Sequence, residues 1–374
     1  MSEAPELPVH GGDVDAIAAR YGTQGVWLDF SANINPLGPP RAVSEALRAG
    51  AEDSASLMRY PTASDRALQA ALAQTLATSV ERVVVGNGAA ALIEAFIRTV
   101  QPQRCLVPQP AFSEYARAIA AQGATIVPFR LDPQADFALD AAALIATLQR
   151  ERPDACILTN PHNPSGALTG RDVMQEILAA ASAMGTAMLI DEAFVDYAPE
   201  SSVAGWFTSE RVLVLRSLTK FYAIPALRVG YGVAAPVFAR AISARVPSWP
   251  ITSLAANAAI AALGEHEYAS RTRASTTAQR DCLATELRSL GLRVFPSAAN
   301  FLLVTSFAPS SVLAESLARN HRIIVRDCGS YPTLERGGFI RLCVRSRADN
   351  AKLLLALAAE LARLQTADNA GSVI

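Results

Sequence analysis

Lys220 lies in the apolar, hydroxyl-flanked stretch VLVLRSLTKFYAIPALRVGYG (212–232), and it is one of only two lysines in a chain whose other basic residues are arginines. An arginine guanidinium stays protonated in a protein. A lysine amine has a reference pKa of about 10.4, and it loses its proton readily once burial or a nearby cation penalises the charge. The neutral amine can then form an imine with a carbonyl compound. Ser217 and Thr219 precede Lys220, and Arg228 follows. Two hydroxyls and a guanidinium beside such an amine suit a phosphate ester. The other lysine, Lys352, reads as a solvated residue on the last helix.

Three more polar clusters close apolar runs. GNGAA (86–90) joins a strand pattern to a helix pattern. Its glycine allows a tight turn, and the helix behind it offers free N–H groups to a phosphate. The same five residues also serve as an ordinary strand-to-helix turn. TNPHNPSG (159–166) is a rigid non-helical loop in which Asn163 offers an amide to a ligand or simply makes a turn. Asp191 ends the run in IDEAFVDY (190–197). A carboxylate at the edge of a core needs a cationic or N–H partner. A protonated ring nitrogen, an arginine or a helix N-terminus would each serve.

These clusters need a scaffold. Short apolar runs (RVVVG, RCLVP, TIVPF, ACILTN, AMLIDEAF, RVLVLRS, LRVGYGVA) alternate with Ala/Leu-rich segments of helical period. Buried parallel strands joined by crossover helices read this way. The expected fold class is α/β: a large domain with a mostly parallel sheet, plus a smaller α+β domain. Residues 1–40 are expected to form an N-terminal arm belonging to the smaller domain and 41–245 the large domain. Residues 246–364 should be an inter-domain helix, over roughly 252–289, and the small domain, with 365–374 as a flexible tail. Open α/β sheets bind ligands at the carboxyl ends of their strands, where the polar clusters fall.

Composition excludes several classes. The 374 residues are 51% hydrophobic with a formal net charge of −1. No basic run marks a nucleic-acid surface, and no apolar run is long enough for a membrane span. MSEAPELPVHGG is unlike a secretory signal, and five scattered cysteines read as reduced thiols, so a cytoplasmic protein is expected. Four histidines at 10, 162, 266 and 321 have no ligand spacing, so no metal is expected. The glycine pattern of a dinucleotide site is missing.

Taken in order, GNGAA, NPHNPSG, DEAF, SLTK and LRVGYG resemble the fold-type-I pyridoxal-phosphate (PLP) enzymes, and within them the histidinol-phosphate aminotransferase-like group. HGGD (10–13), DFSANINPLGPP (29–40), RYP (59–61), FSEY (112–115) and VRDCGSYPTLERGGFIRLCVR (325–345) further resemble the threonine-phosphate decarboxylases of the cobalamin pathway. The likeness runs from about residue 9 to 360. It implies that Lys220 holds pyridoxal 5'-phosphate as an imine and that Asp191 pairs with the pyridinium nitrogen. Asn163 would bond the ring's phenolic oxygen and Phe112 would stack on its face. Gly88, Ala89, Ser217, Thr219 and Arg228 would surround the phosphate, with Tyr60 reaching in from the second subunit of a homodimer. His10, Gly11, Asn33, Asn163, Arg326 and Arg341 would bind a small phosphorylated amino acid, Arg341 gripping its carboxylate. Phe194 stands where many aminotransferases carry a tyrosine, Ala226 replaces a glycine, and NPSG replaces NPTG. The implied reaction is decarboxylation of O-phospho-L-threonine; a histidinol-phosphate-type aminotransferase is the alternative.

Overall fold

The computed structural model describes residues 11–21, 25–207 and 209–371. Its strands in chain order are β1 (Leu28–Asp29), β2 (Val83–Asn87), β3 (Arg104–Gln109), β4 (Thr125–Arg130), β5 (Ala155–Thr159), β6 (Ala187–Asp191), β7 (Val212–Ser217), β8 (Val229–Ala234), β9 (Arg293–Val294), β10 (Phe301–Thr305), β11 (Ile323–Ile324), β12 (Arg326–Asp327) and β13 (Phe339–Cys343).

Seven strands form one sheet in the order β2-β8-β7-β6-β5-β3-β4. Only β8 runs antiparallel to its neighbours. The central strands β6, β7 and β8 are buried along their whole length, which is why they read as unbroken apolar runs. β4 is one of the two edge strands. Its burial is only partial, and it tolerates Pro128, which cannot donate to a ladder. Helices cover both faces. On one side Gly88–Val100 buries Leu92, Ile93, Phe96 and Ile97, residues at the spacing of a single helix face. On the other, Arg171–Ala183 buries Met174, Ile177, Leu178 and Ala181.

A four-stranded antiparallel sheet, β12-β13-β10-β9, lies in the C-terminal part of the chain. Its core packs against helices Ser310–His321 and Arg347–Gly371. The N-terminal segment belongs to this body. β1 pairs in parallel with β11, Phe30 is fully buried in the same core, and the Cys343 N–H donates to the Phe30 carbonyl at 2.8 Å.

Two expectations change. The long helical stretch over 252–289 is two helices, Ser253–Leu263 and His266–Ser289, separated at Gly264. The first packs against helices Arg41–Glu52 and Thr62–Thr75 beside the large sheet, and the second against β9 and the last helix, so the chain must turn between them. The last helix runs on to Gly371, through the stretch expected to be a tail. Among the described residues no helix is long and apolar enough to cross a membrane, and no cluster of His, Cys, Asp and Glu could hold a metal.

Candidate active site

Ladder register brings the polar clusters together. Thr159 at the end of β5 lies opposite Asp191 at the end of β6, and β7 continues into Ser217, which pairs with Gly230. Directly after β7 the chain makes the short helix Leu218–Phe221 that carries Lys220. Asn35, buried, ties this turn down. Its N–H donates to the Lys220 carbonyl at 3.1 Å, and its Nδ2 donates to the Phe221 carbonyl at 2.8 Å. These ends open on a cavity of about 410 Å3, whose far wall comes from the C-terminal sheet and the N-terminal segment.

Lys220 projects into this cavity. Desolvation, then the Arg341 and Arg228 charges, bring its amine down to about 8. An imine-forming lysine must be able to lose its proton, and these surroundings provide the cause.

Asp191 is 4% exposed. Its Oδ1 accepts from the Ala193 N–H at 2.9 Å, and its Oδ2 accepts from the Tyr115 hydroxyl at 2.6 Å. Burial raises its pKa while these two donors oppose the rise. Among the described residues no cation pairs with it.

At the other end, the Ser217 and Thr219 hydroxyls bond each other at 2.7 Å, and Arg228 stands beside the first turn of the helix Gly88–Val100. A Cβ on Gly88 would lie 2.4 Å from the Arg228 guanidinium, so glycine is what lets this cation approach the helix start. The Gly88 N–H is engaged with the Arg228 carbonyl at 2.7 Å. The donors left to face an anion are those of Ala89 and Ala90, which line the cavity and have no partner within the helix.

The third group is Arg326, Arg341, Asn33 and Gly11. Arg341 donates to Asn163 Oδ1 at 2.6 Å and to the Ser31 carbonyl at 2.9 Å. With Asn163 Oδ1 so held, its Nδ2 donors are left for the cavity. Arg326 donates to Ser330 Oγ at 3.1 Å and lies over the Tyr331 ring. Among the described residues, Arg341 Nε and Asn33 Oδ1 are buried with no protein partner.

Of the residues expected at the site, Gly11, Asn33, Ala89, Phe112, Asn163, Asp191, Ser217, Thr219, Lys220, Arg228, Arg326 and Arg341 line the cavity. Gly88 shapes it from behind. Gly11 packs tightly onto protein: a Cβ there would meet the Ser31 carbonyl oxygen at 2.3 Å. Tyr60 is 74% exposed, stacks on Trp249 with ring centroids 4.1 Å apart, and does not line this chain's own cavity. His10 lies outside the described residues. Tyr115, Thr159, Ser31 and Tyr331 were not singled out from the sequence. His162 is structural. Its Nε2 lies 2.9 Å from the Pro110 carbonyl, its Nδ1 lies 2.7 Å from Ser165 Oγ, and burial brings its pKa down to about 4.

The cavity fits pyridoxal 5'-phosphate. A buried carboxylate that has no cation among the described residues lines the same cavity as a lysine amine of lowered pKa. A helix start, two hydroxyls and a guanidinium form an anion cradle beside them, and orphaned polar atoms at Asn33 and Arg341 leave bonding capacity for a further ligand.

Comparison with known proteins agrees. The sequence profile of the family "aminotransferase class I and II" matches residues 26–357. A protein of Salmonella typhimurium named threonine-phosphate decarboxylase is 33% identical over 365 residues, covering 96% of this chain and 98% of that one. A protein of Caldanaerobacter subterraneus given the same activity in its name is 32% identical, covering 93% and 92%. The crystal structure of histidinol-phosphate aminotransferase from Clostridium acetobutylicum superposes with a TM-score of 0.83 at 29% identity, covering 90% of this chain and 99% of that one. The chain belongs to the aminotransferase class I and II family and is a PLP-dependent enzyme with the fold-type-I architecture.

Proposed function

We propose that this member of the family decarboxylates O-phospho-L-threonine, releasing CO2 and (R)-1-aminopropan-2-yl phosphate for the nucleotide loop of cobalamin. The observation that carries the reading is the pair Arg326 and Arg341, which line the cavity from the β12–β13 ladder, on different elements from the Arg228 cradle. A cofactor phosphate needs one anion site. Two further guanidiniums suit a substrate that brings two anions of its own. The two relatives named as threonine-phosphate decarboxylases, each matched over more than nine-tenths of its length, support the same substrate.

When bound, pyridoxal 5'-phosphate supplies an aldehyde that amines capture and a ring that draws electrons from the substrate's α-carbon. Lys220 Nζ, with a pKa of about 8, is about one-tenth neutral at pH 7, enough to capture that aldehyde. Asp191 would face the ring nitrogen, Asn163 the phenolic oxygen and Phe112 the ring face. Ala89, Ser217, Thr219 and Arg228 would hold the phosphate, with Gly88 shaping the turn. Which bond at the α-carbon breaks depends on how the substrate is oriented. Arg326, Arg341, Asn33, Gly11 and His10 would hold its anions so that the carboxylate takes the labile direction. The substrate then loses CO2 and gains one proton at the α-carbon, which Lys220 Nζ would deliver.

The reading extends to a cytoplasmic homodimer in which the partner subunit supplies Tyr60 to this cavity. A histidinol-phosphate-type aminotransferase is the second reading, favoured by the fold match to an enzyme of that name. Product analysis separates them. PLP-loaded protein given O-phosphothreonine should release CO2 in step with aminopropanol phosphate. No CO2, together with formation of glutamate from 2-oxoglutarate and histidinol phosphate, would establish the aminotransferase instead.

A further inference from the structure

Tyr115 closes the FSEY motif with no role assigned to it, yet it touches two of the residues expected to contact the cofactor ring, Asp191 and Phe112. Its side chain is 1% exposed. Its hydroxyl is 2.6 Å from Asp191 Oδ2 and 2.8 Å from Thr159 Oγ1, and its ring meets Phe112 edge-on at 5.7 Å and 88°. An ionised carboxylate only accepts hydrogen bonds, so the directions follow. Thr159 donates to Tyr115, and Tyr115 donates to Asp191. Thr159 is held opposite Asp191 by the β5–β6 ladder, so the start and the end of this chain of bonds share one rigid frame. With Ala193 N–H on Oδ1 and Tyr115 on Oδ2, the carboxyl group is fixed at both oxygens. Its remaining lone pairs face the cavity. Hydrogen bonds chained in this way strengthen one another in a dry interior.

We propose that Tyr115 is a positioning residue: its hydroxyl, oriented by Thr159, keeps the Asp191 carboxylate ionised and aimed into the cavity, and so sets how firmly the cofactor's ring nitrogen keeps its proton. The proposal rests on the reading that this nitrogen faces Asp191. A proton shared between Asp191 and a pyridine nitrogen sits on nitrogen when the carboxylate is the weaker base. A donor to the carboxylate makes it the weaker base. Losing the Tyr115 hydroxyl moves the proton toward Asp191, and the ring withdraws electrons less well.

The test is Tyr115→Phe, which removes the hydroxyl and keeps the ring against Phe112. The holoenzyme is loaded with PLP labelled with 15N in the ring, and the nitrogen chemical shift is read by NMR beside steady-state kinetics. A hydrogen bond to a charged group is worth about tenfold or more in an equilibrium. The 15N shift should therefore move toward the unprotonated value, and kcat should fall about tenfold with KM little changed. Thr159→Val should act in the same direction more weakly, and it decides the matter if Tyr115→Phe fails to fold. An unchanged 15N shift in a folded variant, or a loss confined to KM, overturns the inference and leaves Tyr115 as core packing. Asp191→Asn separates this from failure of the premise. If it leaves the wild-type nitrogen signal in place, the ring does not face Asp191, and both fall.

Discussion

Arg326 and Arg341 stand directly opposite each other in the antiparallel β12–β13 ladder, with both side chains on the cavity. Like charges at such a position, Cβ atoms about 5 Å apart, destabilise a sheet. Arg341 is partly relieved by Asn163 and the Ser31 carbonyl, and Arg326 lies over Tyr331. Both guanidiniums line the cavity, where a ligand anion can approach them.

Anion binding should therefore stabilise the protein through this pair. In protein loaded with PLP, so that the Arg228 cradle is filled, inorganic phosphate should raise the melting temperature by a few degrees at saturation, since a ligand at about 100 times its Kd contributes about 2.7 kcal/mol. Arg326→Leu should lose most of that response. Differential scanning calorimetry across a phosphate series measures both. Equal responses in the two proteins would mean that the anion binds elsewhere.

Lys220 makes a prediction with a defined sign. A buried amine whose pKa is lowered to about 8 binds fewer protons folded than unfolded between about pH 8 and 10.5. Stability therefore rises with pH across that window, and below it the full penalty of the buried charge remains. PLP-free Lys220→Met should be more stable than wild type at pH 7, and the gap should close as pH climbs above 8. Urea unfolding at several pH values tests this. The same variant should lack the visible absorbance that wild type acquires with PLP, and an absorbance that persists would remove Lys220 from the cofactor.

Lys220, Asp191, Asn163 and Arg228 were legible in the sequence because each carries a local signal, a polar residue at the end of an apolar run. The large sheet was legible for the same reason, since strands buried on both faces read as uninterrupted aliphatic stretches. Tyr115 was not. Three residues after Phe112 on a helix, it reads as core, and the acceptor that gives it a role lies 76 positions away. Nor was the Arg326–Arg341 pairing, because β12 is two residues long and so short a strand has no periodicity to read. The break at Gly264 was hidden inside an Ala-rich run, where one glycine costs a helix only about 1 kcal/mol and tertiary packing decides whether the chain turns.

Behind the site lies a second buried charge cluster. Glu192 is fully buried, and its carboxylate accepts from Ser202 Oγ at 2.6 Å and the Val203 N–H at 2.7 Å. Arg216 lies 4.0 Å from it and bonds Asp196 at 2.6 Å. Burial raises the Glu192 pKa, and Arg216 is the largest opposing influence. Breaking a buried pair by removing one partner costs about 3–5 kcal/mol, so Arg216→Met should lose stability on that scale. Glu192 would then take up a proton more readily in the folded state. The deficit should be small at pH 5 and grow as pH rises, because the folded form is the one that loses a favoured proton. Chemical denaturation of Arg216→Met at pH 5 and pH 8 gives the comparison, and a deficit larger at pH 5 would contradict the assignment.

Tyr60 tests the dimer. It is exposed in the single chain and stacked on Trp249, so Tyr60→Ala should change the intrinsic stability of the fold by about 0.5 kcal/mol or less. If the partner subunit's copy reaches this cavity, the variant should nonetheless release PLP faster and turn over more slowly. Subunit mixing makes the test sharp. As homodimers, Lys220→Ala should be inactive and Tyr60→Ala should be impaired. In a mixed dimer one cavity combines an intact Lys220 with an intact Tyr60 from its neighbour, while the other lacks both. Mixing should therefore restore up to about one-quarter of wild-type activity per total subunit, since about half the dimers are mixed and each has one complete cavity, if subunits exchange at random. Activity that stays at the level of the two separate variants would place Tyr60 outside the partner's site.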